Sequence, residues 1–224
     1  MPSNKRRSNG VVRTRMDVTI LCIDSNYESV TQTAFTYRDR HVYPYLIRKG
    51  CSLILIRNSR LRRNDVLTEA RKPSVVYLTG VGHGTPDTYT GNFRQPIFRI
   101  GNYSQVESRG KIVHFLSCQT AEKLGPDFVA KGCRAYFGYD ADFTWDPKVA
   151  DTFLECDSAI DRAFAAGLTA GQVHDRTKAL FDKHIARFRA NGNDYNAAML
   201  EFNRDHLRCP ASGSQWGDLN ARLA

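Results

Sequence analysis

Two apolar stretches, VVYLTGVG at 75–82 and IVHFLS at 112–117, are each followed directly by a chemically active side chain. His83 and Gly84 follow the first stretch, and Cys118 follows the second. Short, nearly continuous apolar runs are typical of parallel strands that are buried on both faces, and such strands end along one edge of their sheet. An imidazole and a thiol at one edge can act as base and nucleophile, so the two stretches predict a cysteine-dependent enzyme.

The rest of the chain predicts an α/β fold, a three-layer sandwich in which helices flank a mostly parallel sheet. Further strands are predicted at 18–23, 52–56 and 135–139. Helices are predicted at 28–48, with a break or kink at Pro44, at 64–71 and 120–131, and through the last third of the chain. Turn signals within 87–110 predict a small β-insertion after the His-Gly strand. We expect a flexible basic arm at 1–15, one domain at 16–208 and a loose C-terminal tail at 209–224.

Composition limits the class of protein. The chain has 224 residues, of which 42% are hydrophobic, enough for a substantial core. The absence of an apolar run near the roughly 20 residues of a membrane helix, or of a signal-peptide pattern, predicts a cytoplasmic protein with no membrane partner. Six cysteines without CxxC pairs or zinc-type spacing predict reduced thiols, with neither a metal nor a cofactor.

The net charge of +9 is concentrated in two places. One group lies in the arm and a second extends from Arg38 to Arg63. Such charge can attract nucleic acid or an acidic protein. Because no nucleic-acid-binding motif accompanies it, a solvated surface and a disordered arm are the favoured interpretation. The arm's basic residues are Lys5, Arg6, Arg7, Arg13 and Arg15.

Cleavage by a thiol requires a base that moves the proton and donors that stabilise the developing oxyanion. His83 can exchange a proton near neutral pH. A helix predicted to begin just after Cys118 would favour its thiolate. The backbone N–H groups of Gly84 and Cys118 are the candidate oxyanion hole.

A strand ending in His-Gly, then a β-excursion, then a strand ending in Cys, resembles the caspase-like cysteine peptidases. The segment IVHFLSCQTAEKLGPDFVAKGCRAYFGYD at 112–140 is most similar to the gingipain and CHAT branch of that group. The resemblance covers roughly residues 17–190. It implies a Cys118–His83 dyad, a thioester acyl-enzyme and a specific protein substrate, for instance in cell-death or defence signalling. It also implies that an activating partner can be needed to order the pocket loops.

The resemblance is incomplete at the substrate pocket. Caspases carry glutamine two residues before the nucleophile, where this chain has Leu116, so a preference for aspartate is not supported. Acidic residues follow two of the predicted strands, and a carboxylate in the pocket would receive Arg or Lys before the cut. Turn formation is the competing explanation for these residues. The candidates are Asp24, Asp140 and Asp142, with Asp39 as a further one.

Other interpretations remain open. His114 precedes Cys118 by four residues and is expected to be a core histidine, because four strand residues span roughly 13 Å. The Gly80–Gly84 stretch resembles a dinucleotide loop superficially, but no helix pattern follows it directly. A catalytically inactive scaffold that binds a protein partner is a further interpretation, although the presence of both His83 and Cys118 argues against it. A nucleic-acid-binding module that uses the basic arm is another.

Overall fold

A six-stranded sheet runs through the centre of the protein in the computed structural model, which describes residues 18–223. The strands are β1 (Thr19–Asp24), β2 (Ser52–Arg57), β3 (Val75–Val81), β4 (Gly84–Thr85), β5 (Thr88–Thr90), β6 (Pro96–Arg99), β7 (Ile112–Leu116), β8 (Ala135–Tyr139) and β9 (Leu207–Arg208). The central order is β2-β1-β3-β7-β8-β9. The first five of these strands are parallel, and β9 runs antiparallel to β8. The predicted mostly parallel α/β fold is therefore confirmed.

The helices form the outer layers of the sandwich. They are α1 (Ser29–Tyr37), α2 (Tyr43–Arg48), α3 (Arg63–Ala70), α4 (Gln105–Ser108), α5 (Leu124–Ala130), α6 (Ala150–Ala165), α7 (Ala170–Ala190) and α8 (Asp194–His206). A π-helical segment, Arg38–Val42, joins α1 to α2. Pro44 follows it and lacks the N–H of a regular helical turn, which accounts for the predicted disturbance there.

Alternating side chains of the central strands supply two separate cores. In β1, Ile20 and Cys22 face the core formed with α1, α2 and α6–α8. Leu21 and Ile23 face the opposite core, formed with α3, α5 and the β-insertion. Both faces of the sheet are thus covered, which explains why its strands are continuously apolar. The insertion itself is the predicted small β-structure, a three-stranded antiparallel sheet of β4, β5 and β6.

The C-terminal segment is not the loose tail that we expected. Trp216 is buried, and its indole N–H donates to the carbonyl of Ala121 at 2.8 Å. Ala221 and Leu223 are buried as well. Residues 209–223 thus belong to the domain, because their few apolar side chains cover the end of the sheet beside β8. The predicted basic arm at 1–15 lies outside the described residues.

Between residues 18 and 223, none of the helices combines the length and the apolar character needed to cross a membrane.

Candidate active site

The register of β3 and β7 brings His83 and Cys118 to the same level of the sheet. Val81 is the register partner of Leu116, and each reactive residue lies two positions further along its own chain. Adjacent strands are about 4.8 Å apart, so the two residues emerge side by side at the carboxyl edge. The His83 side chain is 25% exposed, and Cys118 is partly buried. The structure therefore brings together the two residues that the sequence singled out.

Both residues line one small pocket that opens to solvent. We call it the dyad pocket. Its apolar walls come from α1, from the ends of β3 and β7, and from the loop after β8. These wall residues are Val30, Val81, Leu116, Phe143 and Trp145.

Glu28 is a third member of the site, and the sequence analysis missed it. Its Oε1 lies 3.0 Å from His83 Nε2 and also accepts the N–H of Thr31 at 3.1 Å, which caps α1. Partial burial opposes ionisation, but the Thr31 N–H and His83 outweigh it and lower the pKa of Glu28. An ionised Glu28 can only accept a hydrogen bond, so His83 donates its Nε2–H to it, which leaves Nδ1 as the basic nitrogen. An acidic helix N-cap shortly after a strand was the available signal.

Two aromatic side chains pack next to the imidazole and to each other. Tyr27 meets His83 edge to face, with ring centroids 6.3 Å apart. Phe93, 75% exposed, packs on Tyr27 at 5.1 Å and has a left-handed backbone with φ of 55°. Together with Glu28, the Tyr27 ring restricts the orientation of His83.

Gly84 packs directly against the backbone of Cys118. A Cβ atom at this position would lie 2.2 Å from the Cys118 carbonyl oxygen. Only glycine permits this approach. Gln119, just after the thiol, has φ of 60°, an uncommon conformation for a residue with a side chain. Its N–H is held by the Ala141 carbonyl at 3.0 Å. Backbone strain is thus concentrated next to Cys118.

The expectation that a helix N-terminus favours the thiolate is wrong. Residues 119–123 form turns, and α5 begins only at Leu124. Burial raises the pKa of the Cys118 thiol, and the Asp142 carboxylate adds to that effect. The N–H of Phe143 opposes it by donating to the sulfur. The resting thiol is therefore protonated and needs a base for activation.

Asp24 is not a pocket carboxylate, contrary to our expectation. It is fully buried, and its Oδ1 lies 3.2 Å from Nε of Arg38. It also accepts the hydroxyl of Tyr43 and, at 3.3 Å, the N–H of Val81. Arg38, counted in the sequence as surface charge, is 1% exposed. The pair is structural and anchors the end of β3, because a buried aspartate requires a cationic partner.

The other predicted carboxylates behave differently from one another. Asp140 accepts from His206 Nδ1 at 2.8 Å and from Arg208 Nε at 2.6 Å, so it ties β8 to the end of α8 and does not line the dyad pocket. Asp39 pairs with Arg57 at 2.8 Å, also outside that pocket. Asp142 does lie beside Cys118, where it accepts from the Gln119 side chain at 2.9 Å. It too is outside the pocket lining.

His114 is a core histidine, as predicted. It is fully buried between two carboxylates of α6, with Nδ1 3.1 Å from Asp161 and Nε2 3.2 Å from Asp157. Asp161 also receives Arg38 at 2.7 Å and the hydroxyl of Tyr77 at 2.5 Å. This buried network ties the sheet to α6, away from the dyad pocket.

Within residues 18–223, no group of three or more His, Cys, Asp or Glu side chains could hold a metal ion.

The chain that follows His83 forms the β4–β5 hairpin. A dinucleotide loop would lead into a helix instead.

Comparisons with known proteins support the fold. No family model and no curated protein sequence match the chain. Among solved structures, it is similar to the Arg-specific cysteine proteinase gingipain R, with a TM-score of 0.54 and 13% sequence identity. The match covers 94% of this chain and 48% of that chain, so this protein spans about half the length of the proteinase. The two proteins share a fold in which helices flank a mostly parallel sheet.

Proposed function

We propose that this protein is a cysteine peptidase that cleaves a protein substrate through Cys118 and His83. The observation that carries the proposal is the placement of the two residues at matched positions beyond paired strands, with Glu28 hydrogen-bonded to Nε2 of the imidazole. A thiol, a base and a group that orients the base are the elements of nucleophilic catalysis. The shared fold of a known cysteine proteinase agrees with this chemistry.

In the proposed reaction, His83 Nδ1 takes the Cys118 proton as the sulfur attacks the scissile carbonyl carbon. Collapse of the tetrahedral intermediate breaks the C–N bond, and the imidazolium returns the proton to the departing amine. Water then adds to the thioester, with His83 again taking a proton. Collapse of the second tetrahedral intermediate breaks the C–S bond, the carboxylic acid product leaves, and the imidazolium returns its proton to the sulfur. Glu28 stabilises the imidazolium that forms twice in this cycle.

The proposed oxyanion donors are the N–H groups of Gly84 and Cys118. Thr90 N–H donates to the His83 carbonyl at 2.9 Å, which makes His83–Thr90 a hydrogen-bonded position of the β4–β5 pairing. In antiparallel strands, hydrogen-bonded positions alternate with non-hydrogen-bonded ones. The neighbouring pair Gly84–Tyr89 is therefore non-hydrogen-bonded, and the Gly84 N–H points away from β5. The close contact of Gly84 with the Cys118 backbone supports a role for both groups at one oxyanion.

The test is digestion of a mixed peptide library by the wild type, Cys118→Ala and Cys51→Ala, followed by mass spectrometry. Cys51 is a matched control because it is a buried thiol before β2, at the opposite edge of the sheet. We expect cuts that disappear in Cys118→Ala and persist in Cys51→Ala. Cuts unchanged by Cys118→Ala, or no cuts by the wild type, would contradict the proposal.

A further inference from the structure

The dyad pocket has an apolar lining. Its side-chain walls are Val30, Val81, Leu116, Phe143 and Trp145. Thr31 and Ser117 contribute hydroxyls, but both already have partners. Thr31 Oγ1 donates to the Glu28 carbonyl at 3.3 Å, and Ser117 Oγ bonds Thr120 Oγ1 at 2.8 Å. An apolar occupant would therefore bury surface without leaving a polar wall group unpaired.

The carboxylates nearest to the dyad are already engaged or face elsewhere. Asp24 is paired with Arg38 and accepts the N–H of Val81. Glu28 is paired with His83. Asp142 accepts from Gln119 outside the pocket lining. None of the residues that line the pocket carries a carboxylate, so a cationic side chain buried against its walls would lose its water without an anionic partner there, which is unfavourable.

The position of the pocket identifies which substrate residue would fill it. Cys118 is itself part of the lining, and its sulfur must reach the carbonyl carbon of the residue before the cut. The side chain of that residue branches one bond from the attacked carbon. It therefore projects into the space that begins at the thiol. The pocket is small and open at its mouth, so it can take one side chain and no more.

Resting on the proposed function, we propose that the dyad pocket selects an aliphatic residue, such as leucine, before the scissile bond. This preference differs from the basic residue that the aspartates suggested in the sequence. It follows from the apolar walls of the dyad pocket and from the buried pairing of Asp24.

The first experiment measures binding and needs no turnover. Fluorescently labelled tetrapeptide amides that differ only in their last residue, leucine or arginine, are titrated into Cys118→Ala and followed by anisotropy. We expect the leucine peptide to bind about ten-fold more tightly or better, about 1.4 kcal/mol. Equal or tighter binding of the arginine peptide, or no saturable binding of the leucine peptide, would overturn the inference. Because no bond is cut, failure of the peptidase proposal would leave this result interpretable.

A gain-of-charge variant tests the pocket directly. Val30 is 44% exposed and is the second residue of α1, where a carboxylate suits the helix dipole. In the Cys118→Ala background, Val30→Glu should shift the preference towards the arginine peptide by about ten-fold, about 1.4 kcal/mol. Val106→Glu is the matched control, since Val106 is 51% exposed and second in α4. An unchanged preference in Val30→Glu, or the same shift in Val106→Glu, would contradict the assignment.

Discussion

His83 Nε2 and Glu28 Oε1 lie 3.0 Å apart, although the two residues are 55 positions apart in the chain. The same carboxylate caps α1, so the start of the helix and the orientation of the imidazole are coupled. An ionised Glu28 stabilises the imidazolium and selects the tautomer with a basic Nδ1.

Glu28→Gln should lower kcat for peptide cleavage by roughly ten- to a hundred-fold, as other carboxylates that orient histidines do. The amide can still accept the Thr31 N–H, so the cap and the unfolding temperature should be nearly unchanged. Glu28→Ala should show the same loss of activity and in addition lose about 1 kcal/mol of stability. A pH profile of kcat that is identical in wild type and Glu28→Gln would argue against this role.

The Cys118 thiol should react slowly with iodoacetamide near neutral pH and faster as the pH rises, because burial and Asp142 raise its pKa. The other five cysteines are buried, so labelling should be confined to Cys118. Asp142→Asn should accelerate labelling at pH 7.5 by roughly three-fold or more, since the neighbouring negative charge is removed. Asp175→Asn, at an exposed position on α7, is the control and should leave the rate unchanged. A rate that is unaffected by Asp142→Asn would contradict the electrostatic assignment.

Gly84→Ala should disrupt the site, because the added Cβ would lie 2.2 Å from the Cys118 carbonyl oxygen. We expect a loss of about 1–3 kcal/mol in the free energy of unfolding and a marked fall in cleavage. Gly171→Ala is the control. Gly171 lies in α7, and a Cβ there would meet the Leu219 side chain at 3.5 Å, an ordinary van der Waals distance. That substitution should be neutral or stabilise by up to about 1 kcal/mol. Full activity of Gly84→Ala would show that the packing is looser than the structure indicates.

The buried His114 should make the protein less stable as pH rises. Burial alone would lower the pKa of His114, but Asp157 and Asp161 outweigh it and raise the pKa to about 9. Below the unfolded value of about 6.5, both states are protonated, and the stabilisation is fully present. Between that value and about 9, the unfolded state loses its proton first, so the free energy of unfolding falls.

Denaturant titrations at pH 6.5 and pH 8 would measure this effect. The upper value is set at pH 8 because the thiols of the unfolded chain ionise extensively only at higher pH. We expect a decrease on the order of 2 kcal/mol in the wild type. In His114→Gln the decrease should be absent, and the protein should be less stable throughout, because Asp157 loses its cationic partner and Asp161 keeps only Arg38. Parallel pH dependence in the two proteins would show that His114 is not protonated in the fold.

The strands, and the positions of His83 and Cys118 at strand ends, were predictable because they depend on local pattern. Apolar runs buried on both faces identify parallel strands, and the strand predicted at 135–139 is the observed β8, Ala135–Tyr139. The reactive residues follow their strands immediately, so strand order alone brings them to one edge. Helix starts were less predictable: the helix expected from residue 120 begins at Leu124, after a strained turn.

The sequence by itself determined the α/β class and the strand ends that carry His83 and Cys118. Only the tertiary structure decided what each carboxylate does. Asp24 and Glu28 are four residues apart, yet one is buried with Arg38 and the other orients His83. The physical reason is that the environment of a charged group depends on which distant elements pack against it. Local sequence cannot report those partners, nor the apolar walls that close around the thiol.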